Sequence, residues 1–238
     1  MRLDKFISYT LNLTRSAAKI LIQKGEVTVN DSVIRKSDFQ VDLARDAVYY
    51  KGGILEYQQD IYLLLNKPAG YISSRKDEYY PSVLNFLSGY EKYSLFIVGR
   101  LDVDSEGLLL LTNDGALAHR LTSPNFHVPK KYYVKVEGMF TDSDVELFQN
   151  GMEIRDGDGE IFRTEPAALE IISESEAFIT ICEGKFHQVK RMCLAAGKKV
   201  KRLVRTEIGP LRLDESLKPG DYRSLKPEEI EILKKEFT

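Results

Sequence analysis

The chain has 238 residues, 34 Lys or Arg against 36 Asp or Glu, a net charge of −2, and 43% hydrophobic and 29% charged residues, the composition of an ordinary globular protein with room for one medium domain and a small one. No apolar run approaches the roughly 18 residues of a membrane span, and Met1-Arg2-Leu3-Asp4-Lys5 lacks the apolar core of a secretory signal. Cys182 and Cys193 have neither CxxC spacing nor paired His ligands, which argues against a disulfide scaffold or metal site and predicts reduced structural thiols in a cytoplasmic protein.

Leu3, Phe6, Ile7 and Leu11 recur at helical spacing, so a helix is predicted within residues 3–12. Thr14 caps a second helix carrying Ala17, Ala18, Ile20, Leu21 and Ile22, and Gly25 ends it. Val27-Thr28-Val29 reads as a strand, Asn30-Asp31 as a turn, Val33-Ile34 as the returning strand, and Val48-Tyr49-Tyr50 closes the unit before Gly52-Gly53. Such a unit has a core near the lower limit for independent folding. The strings Arg2-Leu3-Asp4-Lys5-Phe6, Thr14-Arg15-Ser16-Ala17-Ala18 and Gly25-Glu26-Val27-Thr28-Val29-Asn30 resemble the alpha-L RNA-binding domain shared with the ribosomal small-subunit protein S-four. The resemblance implies binding of structured RNA by shape and phosphate contacts. The contacts it suggests are Arg2, Lys5, Arg15 and Lys19, with Lys24, Arg35 and Lys36.

The first domain is placed at 1–56, a linker at 57–60 where Glu56-Tyr57-Gln58-Gln59-Asp60 breaks the pattern, and a second domain at 61–238, opening with Ile61–Leu65 as a buried strand. Asn66-Lys67-Pro68-Ala69-Gly70-Tyr71-Ile72-Ser73 reads as a tight strand exit, Pro68 lacking a donor and Gly70 permitting a positive φ. Residues 99–115 then read Gly-Arg-Leu-Asp-Val-Asp-Ser-Glu-Gly-Leu-Leu-Leu-Leu-Thr-Asn-Asp-Gly. The apolar run Leu108–Leu111, bounded by the turn signal Asn113-Asp114-Gly115, suits a strand buried on both faces, and acids on the loop leading into it sit at a rigid edge. Downstream, Lys131–Val136, Phe178–Ile181 and Val200–Val204 read as strands, Asp142–Gln149 and Val189–Ala196 as helices, and Asp156-Gly157-Asp158-Gly159 as a hairpin turn. The fold class is therefore α+β, with a mixed, mainly antiparallel sheet flanked by helices.

The 99–115 string resembles motif II of the pseudouridine synthases, in the branch that modifies ribosomal RNA. The resemblance makes Asp102 the catalytic residue and Arg100 an RNA contact, leaves Asp104 as a loop residue, and has Thr where this chain keeps a hydroxyl with Ser105. The 66–73 string is similar to motif I, which supports the catalytic loop from beneath. Lys130-Lys131-Tyr132-Tyr133-Val134 is similar to the family's Lys-x-Tyr-x-Val segment, which implies Tyr132 against the target base, where a ring replaces stacking lost on extrusion. Glu183-Gly184-Lys185-Phe186-His187-Gln188-Val189-Lys190-Arg191-Met192 resembles motif III, whose basic residue maps to Lys190 and orients the Asp102 carboxylate. Lys185, His187, Gln188, Arg191 and Arg205 complete the implied RNA contacts.

Charge distribution agrees with a polyanionic partner: from Glu183 to Arg205 there are eight Lys or Arg against one acid. Within the family, His119-Arg120-Leu121-Thr122-Ser123-Pro124 followed by His127 looks most like the branch acting on small-subunit (16S) ribosomal RNA. Two alternatives remain beside it: a synthase acting on large-subunit RNA, and a non-catalytic rRNA-binding assembly factor. The resemblance implies a reaction without cofactor, on 16S rRNA or a partly assembled small subunit, by a monomer.

Overall fold

The computed structural model of the protein describes residues 1–11, 13–57, 60–91, 93–155 and 159–236. Two compact units emerge, Met1–Asp60 and Ile61–Thr238. In the first, helix α1 (Leu3–Thr10) and helix α2 (Arg15–Gln23) pack on strands β1 (Val27–Val29), β2 (Ser32–Val33), β3 (Val48–Tyr50) and β4 (Gly53–Leu55). The strands form an antiparallel sheet in the order β2-β1-β3-β4. Thr14 caps α2 by accepting from the Ala17 amide, and Gly25 beyond its end has φ +77°. Leu3, Phe6 and Ile7 supply the buried stripe of α1, and Asp4 beside them is fully buried as well. Arg2 and Arg15 reach that carboxylate at 2.8 and 3.2 Å. Burial would raise the Asp4 carboxyl, but the hydrogen bond from Arg2 and the charges of both arginines hold it below its ordinary range.

The second unit is built on a nine-stranded sheet. Its strands are β5 (Tyr62–Lys67), β6 (Phe96–Val98), β7 (Glu106–Thr112), β8 (Lys130–Glu137), β11 (Ala168–Ser173), β12 (Glu176–Ile181), β13 (Lys199–Ile208), β14 (Leu211–Arg212) and β15 (Tyr222–Ser224). The main path runs β11-β12-β8-β13-β7-β5-β15, with β14 beside β13 and β6 beside β7. All pairings are antiparallel except β13 with β7. A separate hairpin, β9 (Glu153–Arg155) and β10 (Ile161–Arg163), flanks the turn predicted at 156–159, which apart from Gly159 lies outside the described residues.

The leucine run forms the centre of this sheet. Leu108, Leu109, Leu110 and Leu111 are each fully buried, as are Leu63, Leu64 and Leu65 on β5. Alternate members face opposite layers: Leu63, Leu65, Leu109 and Leu111 enter one core with Phe148, Val189 and Met192, whereas Leu64, Leu108 and Leu110 enter another with Leu117, Leu121 and Leu233. Helices α4 (Asp142–Gln149) and α5 (Gln188–Ala195) thus cover one face, and α3 (Gly115–Thr122) and α6 (Pro227–Glu236) the other. With roughly 1.5–3 kcal/mol from each buried leucine, β7 is a stiff support for the loop that enters it. Asn113-Asp114-Gly115 is a helix start rather than a free turn: Asp114 caps α3 by accepting from Ala116 and Leu117 amides.

Candidate active site

The loop 99–105 ends where β7 begins, and five of its carbonyls are each held by a donor. The Gly99 carbonyl accepts from Arg205 Nη2 at 2.8 Å, Leu101 from Ser73 Oγ at 2.9 Å, and Val103 from the Gly70 amide at 2.7 Å. The Asp102 and Ser105 carbonyls accept from Lys67 Nζ at 2.9 and 2.6 Å. Lys67 is fully buried, and burial pushes its ammonium down to about 8, against the pull of the Asp102, Asp104 and Glu106 charges. The 66–73 string therefore supports the loop through one amide, one hydroxyl and one buried cation.

That support leaves the Asp102 carboxylate at the surface of the loop, three-quarters buried. Lys190 Nζ, from α5, lies 2.8 Å from its Oδ2, and His187 Nε2 lies 3.4 Å from its Oδ1. Lys190 also donates to Asp104 Oδ1. Asp104 is thus part of the ionic group rather than an isolated loop acid. Its burial works to raise the carboxyl, but the hydrogen bond and charge of Lys190 hold it below the ordinary range.

His187 occupies the left-handed region at φ +52°, where a non-glycine residue is strained by about 1 kcal/mol or more. The segment before it is fastened so that this geometry persists. Buried Glu183 accepts from the Glu165 amide at 2.8 Å and from Gln188 Nε2, while Gln188 Oε1 accepts from the Lys185 amide at 3.0 Å.

Tyr132 enters by register. A row of paired residues crosses the sheet from Lys67 through Gly107, Arg205 and Tyr132 to Ile179. Tyr132 is buried and Tyr133 half-buried, so one ring of the pair faces the core. Gly107, at φ +99°, allows the row to close: a Cβ there would fall on the Arg205 carbonyl and 2.9 Å from its amide nitrogen.

The sequence-derived RNA contacts divide. Arg2, Lys5, Arg15, Lys19, Lys24, Arg35, Lys36, Arg100 and Lys185 are exposed, although Arg2 and Arg15 share Asp4 and Arg35 donates to the Gln23 carbonyl at 2.8 Å. His187 and Arg191 are partly exposed, and Arg191 donates to the Arg155 carbonyl. Gln188 and Arg205 cannot meet RNA as the protein stands. Gln188 is 3% exposed and spent on Glu183 and Lys185, and Arg205 is 1% exposed and donates to the Leu108 and Gly99 carbonyls at 2.9 and 2.8 Å. The basic run 183–205 is not one free surface either. Lys198 is buried against Asp144 at 2.6 Å, Lys201 pairs with Glu137, and Arg202 pairs with Glu106 at 2.9 Å.

Sequence reasoning missed Lys67 as a specific loop anchor and Asp104 as a partner of Lys190. The signal for Lys67 was present: Leu63, Leu65 and Lys67 alternate in phase, so the lysine shares the leucines' core-facing side. Among the described residues no group of three or more His, Cys, Asp or Glu is arranged to hold a metal, and no helix is long and apolar enough to cross a membrane.

A family model described as RNA pseudouridylate synthase matches residues 61–195, and one described as S4 domain matches residues 1–48. The "Ribosomal small subunit pseudouridine synthase A" of Salmonella typhimurium (strain LT2) is 43% identical over 231 residues, covering 97% of this chain and 98% of that protein. The protein of the same description from Escherichia coli (strain K12) is 40% identical over 230 residues, covering 97% and 98%. A solved structure described as "Crystal structure of pseudouridylate synthase" superposes with a TM-score of 0.70 at 40% identity, covering 98% of this chain and 99% of that one.

Proposed function

Because the chain belongs to the RNA pseudouridylate synthase family, we propose that it isomerises one uridine of small-subunit (16S) ribosomal RNA to pseudouridine, with Asp102 as the group that acts on the extruded nucleotide. The observation that carries the chemistry is the Asp102 carboxylate, clamped by Lys190 at 2.8 Å on a loop five of whose carbonyls are held by donors. The choice of RNA rests on relatives named for the small subunit that match nearly the whole chain.

The reaction breaks the bond between ribose C1′ and uracil N1, turns the detached base, and joins C1′ to C5. A proton leaves C5 and one is taken up at N1, so the product is an isomer and neither oxidant nor group donor enters. Stacked bases are out of reach, and extrusion costs a few kcal/mol. In this reading cationic residues of both units offset that cost through phosphate contacts, and Tyr132 receives the free base. Attack on C1′, addition to C6 and removal of the C2′ proton all begin from an ionised Asp102, and Lys190 holds that carboxylate in one orientation. The enzyme is taken to work as a monomer in the cytoplasm, on free 16S rRNA or a partly assembled subunit.

The test is to incubate the protein with a 16S transcript and with partly assembled subunits, then map pseudouridine by carbodiimide-blocked primer extension. One new stop on either substrate is expected. No stop on either, with a stop on a large-subunit rRNA transcript assayed alongside or with none, overturns the assignment to the small subunit.

A further inference from the structure

Beside Asp102 the protein exposes an aromatic ring that none of the assigned roles uses. Phe186 is 60% exposed, although it lies in a segment tied down on both sides by Glu183 and Gln188. Its ring stacks on His187, with centroids 3.8 Å apart and planes 21° apart. The His187 imidazole in turn reaches Asp102 at 3.4 Å. The Arg191 guanidinium lies 5.2 Å from the Phe186 centroid. A phenyl ring that is still more than half exposed thus stands one imidazole away from the candidate catalytic carboxylate, with a guanidinium over it.

An exposed phenylalanine gains nothing from water, and the hydrogen bonds of Glu183 and Gln188 on either side hold its segment, with the left-handed His187, where it is. The chemistry that matches an exposed aromatic ring with a guanidinium over it is a nucleobase with its phosphate: every base has a π-face, and the cation answers the backbone charge. We infer that Phe186, backed by His187, is the stacking platform for the unpaired nucleobase next to the uridine being isomerised, and that Arg191 takes the phosphate between them. When the target uridine leaves the stack, its neighbour loses one stacking partner, and Phe186 replaces it. The platform recognises a flat base rather than a particular sequence, so it sets affinity and the path of the strand rather than the identity of the target.

This inference rests on the proposed isomerase reading, but its test separates the two. Single-turnover pseudouridine formation on the 16S transcript is measured against enzyme concentration for the parent, Phe186→Leu and Phe186→Tyr, with folding checked by circular dichroism. Phe186→Leu is expected to raise the half-saturating concentration about tenfold, as loss of one base–aromatic contact does, with the plateau rate within about threefold of the parent. Phe186→Tyr, which keeps the ring, is expected to match the parent. An unchanged half-saturating concentration in Phe186→Leu overturns the platform, as does a lowered plateau alone or equal damage by both substitutions. If the parent forms no pseudouridine, the isomerase reading fails instead. Anisotropy of a labelled single-stranded oligouridylate then tests the platform alone: weaker binding by Phe186→Leu than by Phe186→Tyr sustains it, and equal binding overturns it.

Discussion

Replacing Lys67 by methionine separates what the buried ammonium does for the fold from what it does for the site. The substitution keeps the apolar stem and removes a cation that donates to the Asp102, Ser105 and Pro68 carbonyls at 2.9, 2.6 and 3.1 Å. The Asp102 carbonyl keeps a second donor in the Ser105 amide, Val103 keeps the Gly70 amide, and Pro68 is half-buried. The Ser105 carbonyl, in a residue that is 1% exposed, loses its shortest contact with the ammonium, at a cost of about 1–3 kcal/mol. Against this, the fall of the Lys67 ammonium to about 8 from an ordinary value near 10.4 corresponds to roughly 3 kcal/mol of burial penalty that the methionine does not carry. The two nearly cancel, so Lys67→Met is expected to change unfolding free energy by less than about 2 kcal/mol, measured by urea denaturation. Activity responds differently, because the loop is no longer drawn down at Asp102 and a displacement of about 1 Å costs on the order of a hundredfold. Single-turnover pseudouridine formation should fall by about that factor. A folded Lys67→Met protein turning over within about threefold of the parent would refute the view that this ammonium positions the carboxylate.

Three further outcomes follow from the geometry. Asp102→Asn is expected to abolish turnover while RNA affinity by filter binding stays within about threefold, and pseudouridine formation by that variant at a comparable rate would sink the assignment. Arg205→Ala should lower stability by about 3 kcal/mol, because it strips donors from the buried Leu108 and Gly99 carbonyls; the salt dependence of RNA binding should not change, whereas Lys36→Ala should reduce that slope by about one. Raising the pH should move stability and activity in opposite directions. Burial holds Lys67 and Lys130 at about 8, below their unfolded values, so between about 8 and 10.4 the unfolded chain binds more protons and these two groups make stability rise with pH. Over the same range Lys67 loses a donor to the loop, and turnover should decline; urea midpoints and single-turnover rates at pH 7, 8.5 and 9.5 check both signs.

Where local chemistry decides the structure, the sequence was readable. Four consecutive leucines between a Gly and a turn signal suit a strand buried on both sides and form one, and Asp142–Gln149 forms the helix its pattern predicts, opened by the Thr141–Asp144 capping box. Strand β11 escaped notice because its residues are mostly exposed at the sheet edge, with only Leu169 and its neighbour Ala167 in the core. Helix α6 was hidden in a stretch dominated by charge, where Leu233 alone is fully buried. The Asp102–Lys190 pairing came from a family pattern, since nothing local links positions 88 apart. Arg205 and Gln188 were read as RNA contacts on the family pattern, yet Arg205 alternates in phase with buried Leu203 just as Lys67 does with Leu65.

The parallel pairing of β13 with β7 also sets when the site can come into being. Lys190 meets Asp102 across 88 positions, Arg205 reaches Gly99 across 106, and Asn66 donates to Leu217 across 151. A chain emerging at about 5–20 residues per second has made Asp102 many seconds before it makes the strand that holds the loop from the other side. Contacts of such separation also form slowly once the chain is complete, since loop closure precedes their reward. The carboxylate therefore waits on the sheet. In refolding from urea, competence to modify RNA should return with the last sheet-dependent signal rather than with the helices, and activity recovered ahead of that signal would contradict this order.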